Sequence, residues 1–92
     1  MFQKCYKFTV SGRVQGVGFR YFTTMKANEL NLKGYVRNQN NGDVELVASG
    51  DEAKLSELET WLANGPRLAK VSQVIKEEVE TDATSYHEFK IT

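Results

Sequence analysis

Three glycines and two arginines fall within one ten-residue run, Ser11-Gly12-Arg13-Val14-Gln15-Gly16-Val17-Gly18-Phe19-Arg20. An alternating apolar stretch leads into it and a helical pattern leaves it. Glycine has no Cβ, so it permits positive φ and lets a ligand approach backbone N–H groups. The start of a helix adds unsatisfied N–H donors and a partial positive charge. Such a junction suits an anion, most simply a phosphate. Arg20 contributes a planar fork of donors that matches phosphate oxygens. The same residues also read as an ordinary strand-to-helix turn carrying a solvated arginine.

Neither common nucleotide cradle fits. A Walker loop needs Gly-x4-Gly-Lys-Ser/Thr, but five residues beyond Gly12 stands Val17, and no Lys-Ser/Thr pair follows. A dinucleotide fingerprint needs Gly-x-Gly-x-x-Gly. Gly16 and Gly18 begin one, and Tyr21 occupies the third position.

Asn38 is the second polar candidate. It ends a predicted strand just ahead of a hairpin. In a split-βαβ sheet it would lie toward the first strand, near the glycine loop. A carboxamide both donates and accepts, so it can hold a water in one orientation. Asparagine is also a common turn initiator, which is the plainer reading.

These groups must be positioned by a small frame. Ninety-two residues make one domain, 1–92, of α+β type. A chain of this size buries about two thirds of its extended surface and gains roughly 5–10 kcal/mol of stability. Cys5 to Val10 alternates, with Tyr6, Phe8 and Val10 on one side and Cys5, Lys7 and Thr9 on the other, as in a half-buried strand. Phe19 to Leu30 turns helical, with Phe19, Thr23, Ala27 and Leu30 on one face. Lys33 to Asn38 is a second strand. Asn40-Asn41-Gly42-Asp43 signals a hairpin, and Val44 to Ala48 returns. Ser49 with Glu52 three residues on reads as a capping box. Leu55, Leu58 and Leu62 then have helical spacing, and Gly65-Pro66 stops the helix. Val71 to Val79 and Tyr86 to Ile91 are the last strands. The order β-α-β-β-α-β plus a short C-terminal strand predicts a ferredoxin-like, mostly antiparallel mixed sheet with two helices on one face.

Two stretches resemble the acylphosphatase family. Gly12-Arg13-Val14-Gln15-Gly16-Val17-Gly18-Phe19-Arg20 is similar to that family's Gly-x-Val-Gln-Gly-Val-x-Phe-Arg loop. Gly34-Tyr35-Val36-Arg37-Asn38, followed by Gly42, Val44 and Gly50, is similar to its second signature. The resemblance runs from Cys5 to Trp61; the last quarter matches only in strand order. It implies hydrolysis of acyl phosphates to carboxylate and phosphate, with no metal or cofactor and no phosphoenzyme. It also implies that Arg20 binds the phosphate, that Asn38 positions the water, and that amides of Val14, Gln15, Gly16, Val17, Gly18 and Phe19 complete the cradle. Phosphate or sulfate would occupy such a site. The chemistry suits these groups, because a carboxylate leaves readily and positioning with charge stabilisation then suffices.

Other residues carry less. Arg13 and Arg37 would either add positive potential near the site or stand as solvated surface charges. Gln15 would shape the loop through side-chain hydrogen bonds. A lone Cys5 excludes an internal disulfide and a cysteine cage, and neither it nor the lone His87 is expected to react. With 12 basic and 12 acidic side chains the chain has no general affinity for polyanions. A ferredoxin-like RNA-binding module would need an aromatic RNP1-like run, which is missing. A catalytically idle anion sensor of the same fold would carry the same loop. No stretch approaches the ~20 apolar residues of a membrane span, and no signal-type run follows the N-terminus, so a cytoplasmic protein is expected. Charged edge strands suit a monomer.

Overall fold

In a computed structural model, residues 3–80 and 87–92 are described. Their elements are β1 (Gln3–Arg13), α1 (Phe19–Glu29), β2 (Lys33–Asn38), β3 (Val44–Asp51), α2 (Glu52–Asn64), β4 (Lys70–Glu78) and β5 (Phe89–Ile91). The sheet order is β4-β1-β3-β2-β5. β1 pairs antiparallel with β3 and β4, β2 pairs antiparallel with β3, and β5 runs parallel to β2. This is the ferredoxin-like arrangement expected from the element order.

Register follows from the period-two pattern, because a one-residue slip would turn every apolar side chain outward. Tyr6, Phe8 and Val10 sit opposite Ala48, Leu46 and Val44, and Val36 sits opposite Leu46. These residues share one buried cluster with Phe19 and Ala27 of α1 and with Leu55, Leu58 and Leu62 of α2. Both helices therefore cover the same face of the sheet. Each fully buried Phe or Leu contributes roughly 1.5–3 kcal/mol.

β1 continues past Val10 into the glycine stretch. A register shift between Ser11 and Gly12 lets its ladder with β4 run on to Arg13. Gly12 has φ 123°, and a Cβ there would run into the Lys70 carbonyl oxygen. The glycine is thus required by a bulge, a role that single-strand alternation does not reveal.

The cap of α2 differs from the Ser49 capping box. β3 extends through Asp51, and the Ser49 hydroxyl donates to the Lys33 carbonyl at 3.4 Å. With Ser49 used by the sheet, Asp51 caps the helix by accepting from the Ala53 N–H at 2.8 Å. Asp serves this position as well as Ser. At the other end the Gly65 N–H donates to the Trp61 carbonyl, and Gly65 has φ 68°.

The hairpin between β2 and β3 closes where the Gln39 N–H meets the Asp43 carbonyl at 2.8 Å, with Gly42 at φ 97°. β5 is fastened to α1 by Asn28, whose Oδ1 accepts from the Phe89 N–H at 3.1 Å and whose Nδ2 donates to the Phe89 carbonyl at 3.5 Å. The first part of the Tyr86–Ile91 strand expectation lies outside the described residues. Among the described residues no helix is long and apolar enough to cross a membrane.

Candidate active site

The stretch joining β1 to α1 is held at both ends by burial. Val14 and Phe19 are each 1% exposed, and the Phe19 ring packs against Trp61 with centroids 6.0 Å apart. Between these anchors Gly16 has φ 77° and Gly18 has φ 79°. Left-handed residues close together are the backbone from which anion-binding amide concavities are made.

Gly18 is also the N-cap of α1, which has no side-chain cap and no acidic residue in its first turn. α2, by contrast, begins with capping Asp51 and Glu52. Among the described residues the positive end of α1 is thus left without a neutralising side chain in its cap or first turn.

A cleft of about 190 Å³ opens over this helix start. Val14, Gly16 and Gly18 line it from the loop, Phe19 and Arg20 from the first turn of α1, and Asn38 from β2. Tyr21 and Ile91 complete the wall. Arg20 and Asn38 are both half-buried. Among the described residues neither the Arg20 guanidinium nor the Asn38 carboxamide has a hydrogen-bond partner.

Strand parity explains why Asn38 arrives there. Gly34, Val36 and Asn38 share the helix-covered face, and Val36 is fully buried on it. Asn38, opposite Val44, lies at the sheet end where α1 begins. The same parity sends Arg37 to the face away from the helices. Arg37 therefore does not line the cleft, and it is not a lone solvated charge either. Its Nε donates to Glu45 Oε1 at 2.6 Å. Arg13 is exposed, pairs across the ladder with Lys70 and does not line the cleft.

Two loop residues face elsewhere. Val17 packs against the core. Gln15 reaches across to the hairpin, where its Nε2 donates to the Gln39 carbonyl at 2.8 Å and the Asp43 carbonyl at 2.9 Å. Neither side chain lines the cleft. Cys5 is buried on β1 opposite Ser49, and His87 is exposed just ahead of β5. Among the described residues no group of three His, Cys, Asp or Glu side chains is placed to hold a metal ion.

Sequence reasoning overlooked Glu45, which is 6% exposed. Besides Arg37 it meets Lys7 at 3.7 Å, the Tyr35 hydroxyl at 3.4 Å and Gln39 Nε2 at 3.4 Å. The Arg37 hydrogen bond is the main cause holding its carboxyl below the usual glutamate value; burial opposes this, and the charges of Arg37 and Lys7 add to it. Also overlooked were Tyr21 and Ile91 in the cleft wall. Nothing local marks Ile91, because it reaches the site only through the parallel pairing of β5 on β2.

Comparison with known proteins agrees with this frame. A family model described as Acylphosphatase matches residues 6–91. An acylphosphatase of Vibrio cholerae is 50% identical over 93 aligned positions, covering 99% of each chain. One from Pasteurella multocida is 49% identical over 85 residues, covering 92% of this chain and 93% of the relative. The solved structure of an acylphosphatase from Coxiella burnetii superposes with a TM-score of 0.92 at 44% identity, covering 98% of this chain and 93% of that one.

Proposed function

Because the chain belongs to the acylphosphatase family, we propose that it hydrolyses acyl phosphates to a carboxylate and inorganic phosphate, through the cleft over α1. The observation that carries this reading is the meeting of Arg20 and Asn38, from different elements, at one uncapped helix start lined by left-handed glycines.

In this mechanism the phosphoryl oxygens take the amides of Val14 through Phe19 and the guanidinium of Arg20. Both are preorganised donors that need little rearrangement as charge grows on those oxygens. The Asn38 carboxamide holds a water on the face of phosphorus away from the leaving carboxylate. The water oxygen bonds to phosphorus, the bond between phosphorus and the acyl oxygen breaks, and the carboxylate departs with that electron pair. The proton of the attacking water passes to a phosphate oxygen and on to solvent. A carboxylate leaves without protonation at neutral pH, so no general acid is called for. Positioning and charge stabilisation provide the acceleration, with neither a metal nor a phosphoenzyme.

The test is acetyl phosphate turnover with excess chelator. Sustained hydrolysis that Arg20→Lys abolishes supports the reading. Hydrolysis only on addition of a divalent ion contradicts its metal-free form, and no hydrolysis at all contradicts the activity.

A further inference from the structure

One wall of the cleft is made of side chains with large apolar bodies and no charge. Tyr21 stands on it from α1 and Ile91 from β5. Both are large and open to solvent, at 58% and 45% exposure. Phe22 extends the apolar surface, with its ring 5.3 Å from that of Tyr21 in an edge-on arrangement. The Phe22 ring also lies over Gly18, where an added Cβ would sit 3.2 Å from it. Met25 follows one turn further along α1 and is likewise exposed.

Single exposed apolar residues are normal on protein surfaces. Here two of them, far apart in sequence, converge on the cleft that holds Arg20 and Asn38. The convergence is built. Asn28 ties α1 to β5 on both sides of Phe89, and the parallel register sets Ile91 opposite Val36, two residues before Asn38.

Charge narrows the fit. Among the described residues Arg20 is the only cation lining the cleft. Lys26, further along α1, is paired with Glu29 at 3.3 Å. Among the described residues an acyl group bearing a second anion would find no cation on this wall, and an apolar one would leave water by covering it.

We infer that Tyr21 and Ile91 form an acyl subsite that favours acyl phosphates with an uncharged, apolar body several carbons long. This rests on the hydrolase reading of the cleft and goes beyond it in naming the substrate class. Contacts to the acyl body persist into the transition state, so the preference belongs in kcat/KM.

The experiment compares kcat/KM for acetyl, hexanoyl and succinyl phosphate in the unaltered protein, Tyr21→Ala and Ile91→Ala. Acetate and hexanoate are almost equally basic leaving groups, so their ratio reads binding and not bond cleavage. Both positions are exposed, where truncation disturbs folding little. On an open wall, the expected preference for hexanoyl over acetyl phosphate is about tenfold, with succinyl phosphate no better than acetyl. Each substitution should cut the hexanoyl-to-acetyl ratio severalfold. A ratio near one in the unaltered protein, a ratio that neither substitution moves, or succinyl phosphate matching hexanoyl would each overturn the subsite while leaving the hydrolase reading standing. Failure to cleave any of the three would remove both.

Discussion

Gln15 and Gln39 are joined across the site, the Nε2 of the first donating to the carbonyl oxygen of the second at 2.8 Å. The other hydrogen of that amide goes to the Asp43 carbonyl at 2.9 Å. Gln39 and Asp43 are also the pair that closes the hairpin. One side chain from the glycine loop thus fastens the turn that follows Asn38, and the loop and Asn38 share a frame although one follows β1 and the other ends β2. Gln39 carries the linkage on, its Nε2 reaching Glu45 Oε2 at 3.4 Å.

Gln15→Ala should therefore affect the two halves of the site together. It strips two part-buried carbonyls of a donor, which costs about 1–2 kcal/mol of stability. Small misplacements of catalytic groups can cost up to about a hundredfold in rate, so kcat should fall well beyond what the stability loss explains. Steady-state kinetics beside a thermal melt checks this. A lowered Tm with full kcat would reduce Gln15 to a structural staple.

Arg20→Lys should be nearly inactive. An ammonium is a point charge and cannot replace a planar fork on a phosphate. Loss of one preorganised donor of this kind raises the barrier by about 3–4 kcal/mol. The half-buried guanidinium makes no hydrogen bond or ion pair among the described residues, so the fold should tolerate the change. Acetyl phosphate kinetics and phosphate inhibition together check it, and retention of most activity would remove Arg20 from the mechanism.

Part of this was readable in advance. Lys33–Asn38 matches its predicted strand at both ends, because Gly34 enters it and the Asn-Gly hairpin punctuates its end. Leu55, Leu58 and Leu62 are the buried stripe of α2. What escaped depended on a partner strand. Ser49 reads as a cap until the ladder on both sides of β3 claims it. Val44-Glu45-Leu46 looks like a strand with one outward carboxylate. Only the register that sets Arg37 opposite Glu45 turns that carboxylate into a hub, and the same register withdraws Arg37 from the cleft. Ile91 is legible as a strand residue but not as part of the site, since parallel pairing between distant strands leaves no local trace.

Asn38→Ala should separate binding from turnover. If the carboxamide aims water and the loop grips phosphate, kcat falls while inhibition by inorganic phosphate stays nearly as strong. The side chain is half-buried and has no hydrogen-bond partner among the described residues, so its loss should cost the fold little. Measuring the phosphate inhibition constant beside kcat decides the matter. A large loss of phosphate affinity in a folded variant would make Asn38 a phosphate ligand.

Glu45 makes a prediction about pH. Its carboxyl is held below the ordinary value of 4.5, chiefly by the Arg37 hydrogen bond. A group whose folded pKa is depressed binds fewer protons folded than unfolded, so its stabilisation is complete above the unfolded value. It is lost as pH falls through the lower folded value. Glu45→Gln should cost on the order of 1 kcal/mol near neutrality, and the gap to the unaltered protein should narrow as pH drops below about 4.5. Urea melts taken across that range read the difference directly. A gap that stays constant down to strongly acidic pH would mean that the carboxylate's charge contributes nothing and that the cost comes only from an amide NH2 facing donors where Glu45 offers two acceptor oxygens.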